Sequence, residues 1–183
     1  MIRTYSLEAL VLRKEKMGET DNIITVFSKS HGLLRLLAKG IRKITSRRAP
    51  YLDLFNYVRL YLNKGKTFDL ITDVTLVNNF LVLKSDIKRV ACAFKMAELL
   101  NRLLPEGQSQ KLLYDRLISD YEGLNNLANL QQDKILTDFS NFLLSELGYA
   151  PKDKFFTGLT LDGILEEVME KKINSNQLLS KLI

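Results

Sequence analysis

Near residue 80 the hydrophobic period of this chain changes, and no single type of element can serve both parts. Before that point apolar residues come in short runs of period close to two, rich in β-branched and aromatic side chains. After it they recur every three to four positions. A period of two sends alternate side chains to opposite faces of a strand, whereas three-to-four spacing lines one face of a helix. The fold class read from this is α+β: a small β-domain over residues 1–80, then an all-helical domain over 81–183.

The first part divides into five strand-like runs. SLEALVLRKEK from Ser6 puts Leu7, Ala9 and Val11 on one face, with Leu10 and Leu12 partly filling the other. In MGETD, Gly18 permits a turn and Asp21 can hydrogen-bond its own backbone. NIITVFS from Asn22 is a second strand, Ser30-His31-Gly32 a hairpin turn, and LLRLLAK a third strand. A basic loop closed by Pro50 precedes LFNYVRLYL, where Tyr57, Arg59 and Tyr61 oppose Val58, Leu60 and Leu62. NKGK then turns the chain into a fifth strand, TFDLITDV. The size and strand count fit a five-stranded Greek-key barrel of the OB type; pattern alone does not separate it from an SH3-like barrel.

In the second part, Ser85 and Asp86 are N-cap candidates for a helix through Leu104. Its apolar stripe is Ile87, Val90, Ala91, Phe94, Ala97 and Leu100, widened by Met96, Leu99, Leu103 and Leu104. Pro105 and Gly107 end it. Ser109 is placed to cap a second helix with the stripe Leu112, Leu113, Leu117 and Tyr121. A third runs from about Gln131 to Gly148, with Pro151 beyond it. Asp162 is placed to cap GILEEVMEKK, and QLLSKLI forms a last apolar fragment. No Gly/Ser/Pro linker marks the boundary, so the two domains are expected to pack together.

Charge is distributed as unevenly as period. Residues 1–80 hold 14 of the 27 Lys and Arg but only 7 of the 21 Asp and Glu, so the first part carries +7 of a net +6 and the remainder −1. Within RLLAKGIRKITSRR, Arg35, Lys39, Arg42, Lys43, Arg47 and Arg48 occur without an intervening acid. Such a run is an electrostatic footprint for a polyanion: each cation that neutralises a phosphate releases condensed counterions, giving affinity without sequence choice. Arg13, Lys14, Lys64 and Lys66 at strand ends are secondary candidates. Tyr57 and Tyr61 are read first as packing residues, with base stacking as the alternative.

Catalytic signals are absent. One Cys and one His cannot supply a zinc site. Cys92 lies on the apolar side of its helix and reads as a buried thiol, and His31 has no nucleophile or orienting acid indicated beside it. Neither GxxxxGK[ST] nor GxGxxG is present. The sequence reads as a binding protein and not an enzyme, with no cofactor. A single cysteine suits a reducing compartment; the first residues lack a signal-peptide core, and no apolar run is long enough to span a membrane. Phosphate contacts alone do not tell RNA from DNA, and a protein-interaction scaffold is the alternative from another class.

The run EALVLRKEKMGETDNIITVFSKSHGLLRLLAKGIRK resembles the N-terminal domain of the RecO family of bacterial recombination mediators. The matching features are the Glu8–Arg13 strand, the Gly18-Glu19-Thr20-Asp21 turn, the Ser30-His31-Gly32 turn, and Ala38-Lys39-Gly40 followed by Arg42 and Lys43. LYLNKGKTFDLITDV resembles the closing hairpin of that domain, and the similarity continues more weakly to LLSELGYAP, residues 143–151. The resemblance implies an OB-fold with a helical domain, binding of single- and double-stranded DNA, strand annealing, and loading of the recombinase onto gaps coated by single-stranded-DNA-binding protein. It implies RecR and the acidic tail of that binding protein as partners, and a cytoplasmic, nucleoid-associated location. Many relatives carry four zinc-binding cysteines after the segment matching Leu147–Pro151. Residues 152–160 contain none here, so that metal is expected to be absent. The sequence also stops at Ile183, before the last helices usual in the family, which leaves the acidic-tail site without residues to carry over.

Overall fold

A computed structural model describes residues 3–126 and 131–169. It divides into two compact units: residues up to Phe80 together with Pro105–Tyr114, and Leu81–Leu104 together with the residues from Asp115 onward. The strands are β1 (Thr4–Met17), β2 (Asp21–Ser28), β3 (Gly32–Ala38), β4 (Tyr57–Asn63) and β5 (Asp69–Asn78). The helices are α1 (Leu81–Lys84), α2 (Ile87–Leu103), α3 (Lys111–Leu124), α4 (Gln132–Glu146) and α5 (Gly158–Met169). The fold is α+β, as the change of period requires.

The strands close into a barrel in the order β1-β2-β3-β5-β4, antiparallel throughout except between β3 and β5. This is the OB arrangement. Closure depends on β1 serving two neighbours: Thr4–Leu10 pairs with β4, and Ala9–Met17 pairs with β2. A register shift between Val11 and Arg13 lets the strand bend from one to the other. Ala9, Val11, Ile24, Val26, Leu36 and Leu60 fill the interior with their neighbours. Along β4 the alternation is as read, with Val58, Leu60 and Leu62 buried and Arg59 and Tyr61 exposed.

From Asn22 to Ser28 every residue of β2 is buried, which a strand with one wet face does not show. Its inward residues meet the barrel core. On its outer side Phe27 meets Tyr114, ring centroids 5.8 Å apart, because Pro105–Tyr114 lies over the β2–β3 hairpin. Gly107 N–H donates to the Leu33 carbonyl at 2.9 Å, and Ser109 Oγ donates to that of Lys29 at 2.8 Å. Ser109 thus ties to the hairpin, and because α3 begins at Lys111 it is Gln110, not Ser109, that directly precedes the helix, contrary to the sequence expectation. Gly32 is required by this approach: its φ is +65°, and a Cβ there would stand 1.8 Å from the Gln108 oxygen.

In the helical unit, Asp86 caps α2 by accepting from the N–H groups of Lys88 and Arg89. Helix α2 is buried on most sides, including Cys92 and the charged residues Arg89 and Lys95. Arg89 donates to the carbonyls of Leu124 (2.7 Å), the last residue of α3, and Asn126 (2.8 Å), just beyond it. Tyr121 Oη donates to the Ala93 carbonyl at 3.0 Å. Three expectations are corrected here. Ile87 and Leu112, assigned to apolar stripes, are 55% and 64% exposed. Asp162 lies inside α5, where its carboxylate accepts from Lys95 Nζ at 3.0 Å, so a buried lysine and not a helix start claims it. The fragment QLLSKLI lies outside the described residues.

Candidate nucleic-acid interface

The basic loop leaves β3 at Ala38 and returns to β4 at Tyr57. One apolar residue near its start and one near its end fix it. Ile41 is 4% exposed and Leu52 fully buried, and both belong to the barrel core. With Ile41 drawn inward, Lys39, Arg42 and Lys43 around it point to solvent. Asn56 secures the return by donating from Nδ2 to the carbonyls of Pro50 (3.1 Å) and Tyr51 (2.9 Å).

The β1–β2 turn braces the loop at its base. Asp21 accepts the Gly40 N–H at 2.7 Å and the Thr20 hydroxyl at 3.0 Å. The Arg42 N–H donates to the Thr20 carbonyl at 2.9 Å, and its guanidinium to the Gly18 carbonyl at 3.2 Å. Asp21 thus bonds the loop backbone and the Thr20 side chain, and not its own backbone as expected from sequence. The Gly40 N–H foremost, with the Thr20 hydroxyl and the nearby charges of Lys39 and Lys43, holds the Asp21 carboxyl below the ordinary aspartate range. Gly18 and Gly40 both have positive φ, +62° and +63°, where glycine is at no steric disadvantage.

Arg47 and Arg48 part company. Arg47 is exposed. Arg48 is half-buried and turns its guanidinium back on the barrel, donating to the carbonyls of Ile71, Thr72 (3.4 Å) and Lys39 (2.8 Å). Strands β3 and β5 pair only at Leu36–Asp69 and Leu37–Leu70. Beyond these two pairs β5 continues beside β4 but has no strand on its β3 side, and Arg48 bridges that gap. It holds the barrel closed at the foot of the loop that carries the other cations.

Arg35, grouped with the loop cations in the sequence, stands on β3 and not on the loop; it and the secondary cations fall into three places. Arg13, Thr25 and Arg35 form one cross-strand row on the outer face of β1, β2 and β3. Glu15 lies 3.0 Å from Arg13 and 3.7 Å from Arg35, and Glu106 lies 3.9 Å from Arg35. Exposed pairs of this kind contribute little and exchange readily for another anion. Arg35 also packs over Phe68, 5.6 Å from the ring centroid, in the β4–β5 turn that carries exposed Lys64 and Lys66. Lys14 Nζ donates to Asp53, in the β3–β4 loop, at 3.2 Å.

The two tyrosines also differ. Tyr57 Oη donates to Glu8 Oε2 at 2.6 Å, and Arg59 approaches Oε1 at 2.7 Å. Burial first, then the bond to Glu8, raises the Tyr57 phenol above its usual value. Its hydroxyl is engaged in packing. Tyr61 is 40% exposed and lines a shallow groove with Thr4, Ser6, Asn63 and Thr72.

Elsewhere, Cys92 is buried and free. Burial first, and Asp133 nearby, push its thiol up to about 12. His31 Nδ1 lies 2.8 Å from Ser30 Oγ, and its ring packs on Tyr5. Among the described residues no group of three or more His, Cys, Asp or Glu side chains is placed to hold a metal ion, and no helix is long and apolar enough to cross a membrane.

Comparison with known proteins gives two family matches: Recombination protein O N terminal over residues 1–80, and Recombination protein O C terminal over residues 84–152. Curated relatives include proteins described as DNA repair protein RecO. That of Roseiflexus sp. is 32% identical over 82% of this chain and 52% of its own length. That of Dehalococcoides mccartyi is 32% identical over 81% and 58%, and that of Heliobacterium modesticaldum 34% identical over 82% and 54%. The chain spans about half the length of the curated relatives it matches.

Proposed function

We propose, from the premise that this chain belongs to the recombination protein O (RecO) family, that it is a DNA-binding mediator of recombinational repair with no catalysis of its own. The observation that carries the reading is the braced loop on the barrel, whose buried Ile41 turns Lys39, Arg42 and Lys43 outward. These three and Arg47 grip consecutive phosphates. Arg13, Lys14, Arg35, Lys64 and Lys66 extend the positive surface over the outer strands, adding affinity without sequence preference. Arg48 adds its charge to the same field while holding the barrel closed. Tyr61 offers a face on which an unpaired base can stack.

In this reading residues 1–80 are the nucleic-acid-binding domain and residues 81–183 a helical domain that meets protein partners. Those partners are RecR and, through its acidic tail, the single-stranded-DNA-binding protein, with the whole acting in the cytoplasm at the nucleoid. Binding both single and double strands brings complementary strands together, because phosphate contacts are indifferent to pairing and lower the repulsion between two polyanions. The test is annealing of complementary oligonucleotides, bare or coated with single-stranded-DNA-binding protein. Annealing at low salt that declines as salt rises supports the proposal; no acceleration over the spontaneous rate at low salt contradicts it.

A further inference from the structure

We infer that Ile44, at the apex of the basic loop, is a base-contacting wedge that unstacks single-stranded DNA. The inference rests on the phosphate-binding reading of the loop and extends it to the bases. Two tight turns share Lys43: its N–H donates to the Gly40 carbonyl at 3.2 Å, and its carbonyl accepts the Ser46 N–H at 2.9 Å. Ile44 and Thr45 occupy the corner of the second turn. Ile44 is wholly exposed, whereas Ile41 three positions earlier is 4% exposed.

A single exposed aliphatic residue is ordinary on a protein surface. The setting of this one is not. Turn corners favour Gly, Pro, Asn, Asp and Ser for their backbone and hydrogen-bonding properties, and a β-branched chain offers none of these. The residue sits between Lys43 and Arg47 with Arg42 beside it, all three exposed. A strand whose phosphates meet those cations brings its bases alongside the apex. Aliphatic side chains carried on basic elements enter base steps as wedges in this way. A wedge also needs a stiff backing, which the bonds from Gly40 and Arg42 to Asp21, Thr20 and Gly18 supply.

An uncharged contact adds affinity without displacing counterions, so it separates from the phosphate contacts in a salt titration. The experiment uses the full chain and a single-stranded oligonucleotide carrying 2-aminopurine, whose emission rises when its neighbours unstack. The wild-type chain raises the emission. Ile44→Ser removes the rise and lowers affinity about tenfold, as expected for losing a buried aliphatic contact, while the salt slope stays unchanged. Ile44→Leu retains both emission and affinity. If Ile44→Ser matches the wild type in emission and affinity, this inference is overturned and the phosphate reading stands. If the wild type shows no salt-dependent binding, the phosphate reading falls and the wedge with it. Ile44 has no buried contact to lose, so its variants fold as the wild type does.

Discussion

Arg47 and Arg48 are adjacent and chemically identical, yet alanine at the two positions should have opposite consequences. Arg48→Ala removes donors from the carbonyls of Ile71, Thr72 and Lys39 where β3 has ended and β5 continues. A hydrogen bond from a charged donor contributes about 1.5–3 kcal/mol. The Thr72 contact is long, leaving two effective bonds. Arg48 is half-buried, so water replaces part of what they supply, and a loss of about 2–4 kcal/mol remains. With a denaturant slope near 2 kcal/mol/M, the urea midpoint should fall by about 1–2 M when unfolding is followed by far-ultraviolet circular dichroism. Arg48→Lys keeps the charge but lacks the planar fork that reaches several carbonyls at once, and should recover less than half of the loss. Arg47→Ala, on an exposed residue, should stay within about 0.5 kcal/mol of wild type while weakening DNA binding. Equal stability of the Arg47→Ala and Arg48→Ala proteins would refute the assignment of Arg48 to barrel closure.

Three further outcomes are expected. Gly32→Ala should be among the most damaging glycine substitutions, because a positive φ is compounded by a Cβ 1.8 Å from the Gln108 oxygen; Gly18→Ala, with nothing within 4 Å, should cost only about 1 kcal/mol for its φ. The bonds from Tyr57 and then Arg59 hold Glu8 below the ordinary glutamate value of 4.5, so its contribution to stability is full above that value and is lost as pH falls through the lowered one. Glu8→Gln should therefore flatten the acid limb of a stability–pH curve, and an unchanged limb would count against the bond geometry. Cys92, buried with its thiol pushed up to about 12, should react with a thiol reagent only as fast as the chain opens; rapid stoichiometric labelling in native buffer would contradict its placement.

The change of period near residue 80 was enough to read an α+β chain, because strand and helix periodicities come from local backbone geometry. The faces of β4 were legible for the same reason. What stayed hidden depended on distant partners. Nothing in SLEALVLRKEK announces that its two ends pair with different strands, since the bend lies in a register shift and not in a residue type. The burial of Phe27 on the outer face of β2 depends on Pro105–Tyr114, about 80 positions along the chain. Ile87 and Leu112 fit helical stripes by spacing, but neither side chain is covered in the fold. At the candidate site, charge density was plain in the sequence while its division of labour was not. Arg48 differs from Arg47 in reaching back to the carbonyls of Ile71, Thr72 and Lys39, and Asp21 joins the loop because Gly40 is folded back beside it. Ile44 carried no signal by type, and its exposure emerges only when Ile41 takes the inward place.

The central claim, that the braced loop grips phosphates, is tested most directly by DNA affinity across a salt series for the wild type and for a Lys39→Ala, Arg42→Ala, Lys43→Ala variant. Each lost phosphate contact lowers the slope of log K against log salt by about 0.7 on single strands and about 0.9 on double strands, so the triple variant should lose about 2.1 from the slope on the former and about 2.7 on the latter. Unchanged affinity and slope in a folded triple variant would contradict the account.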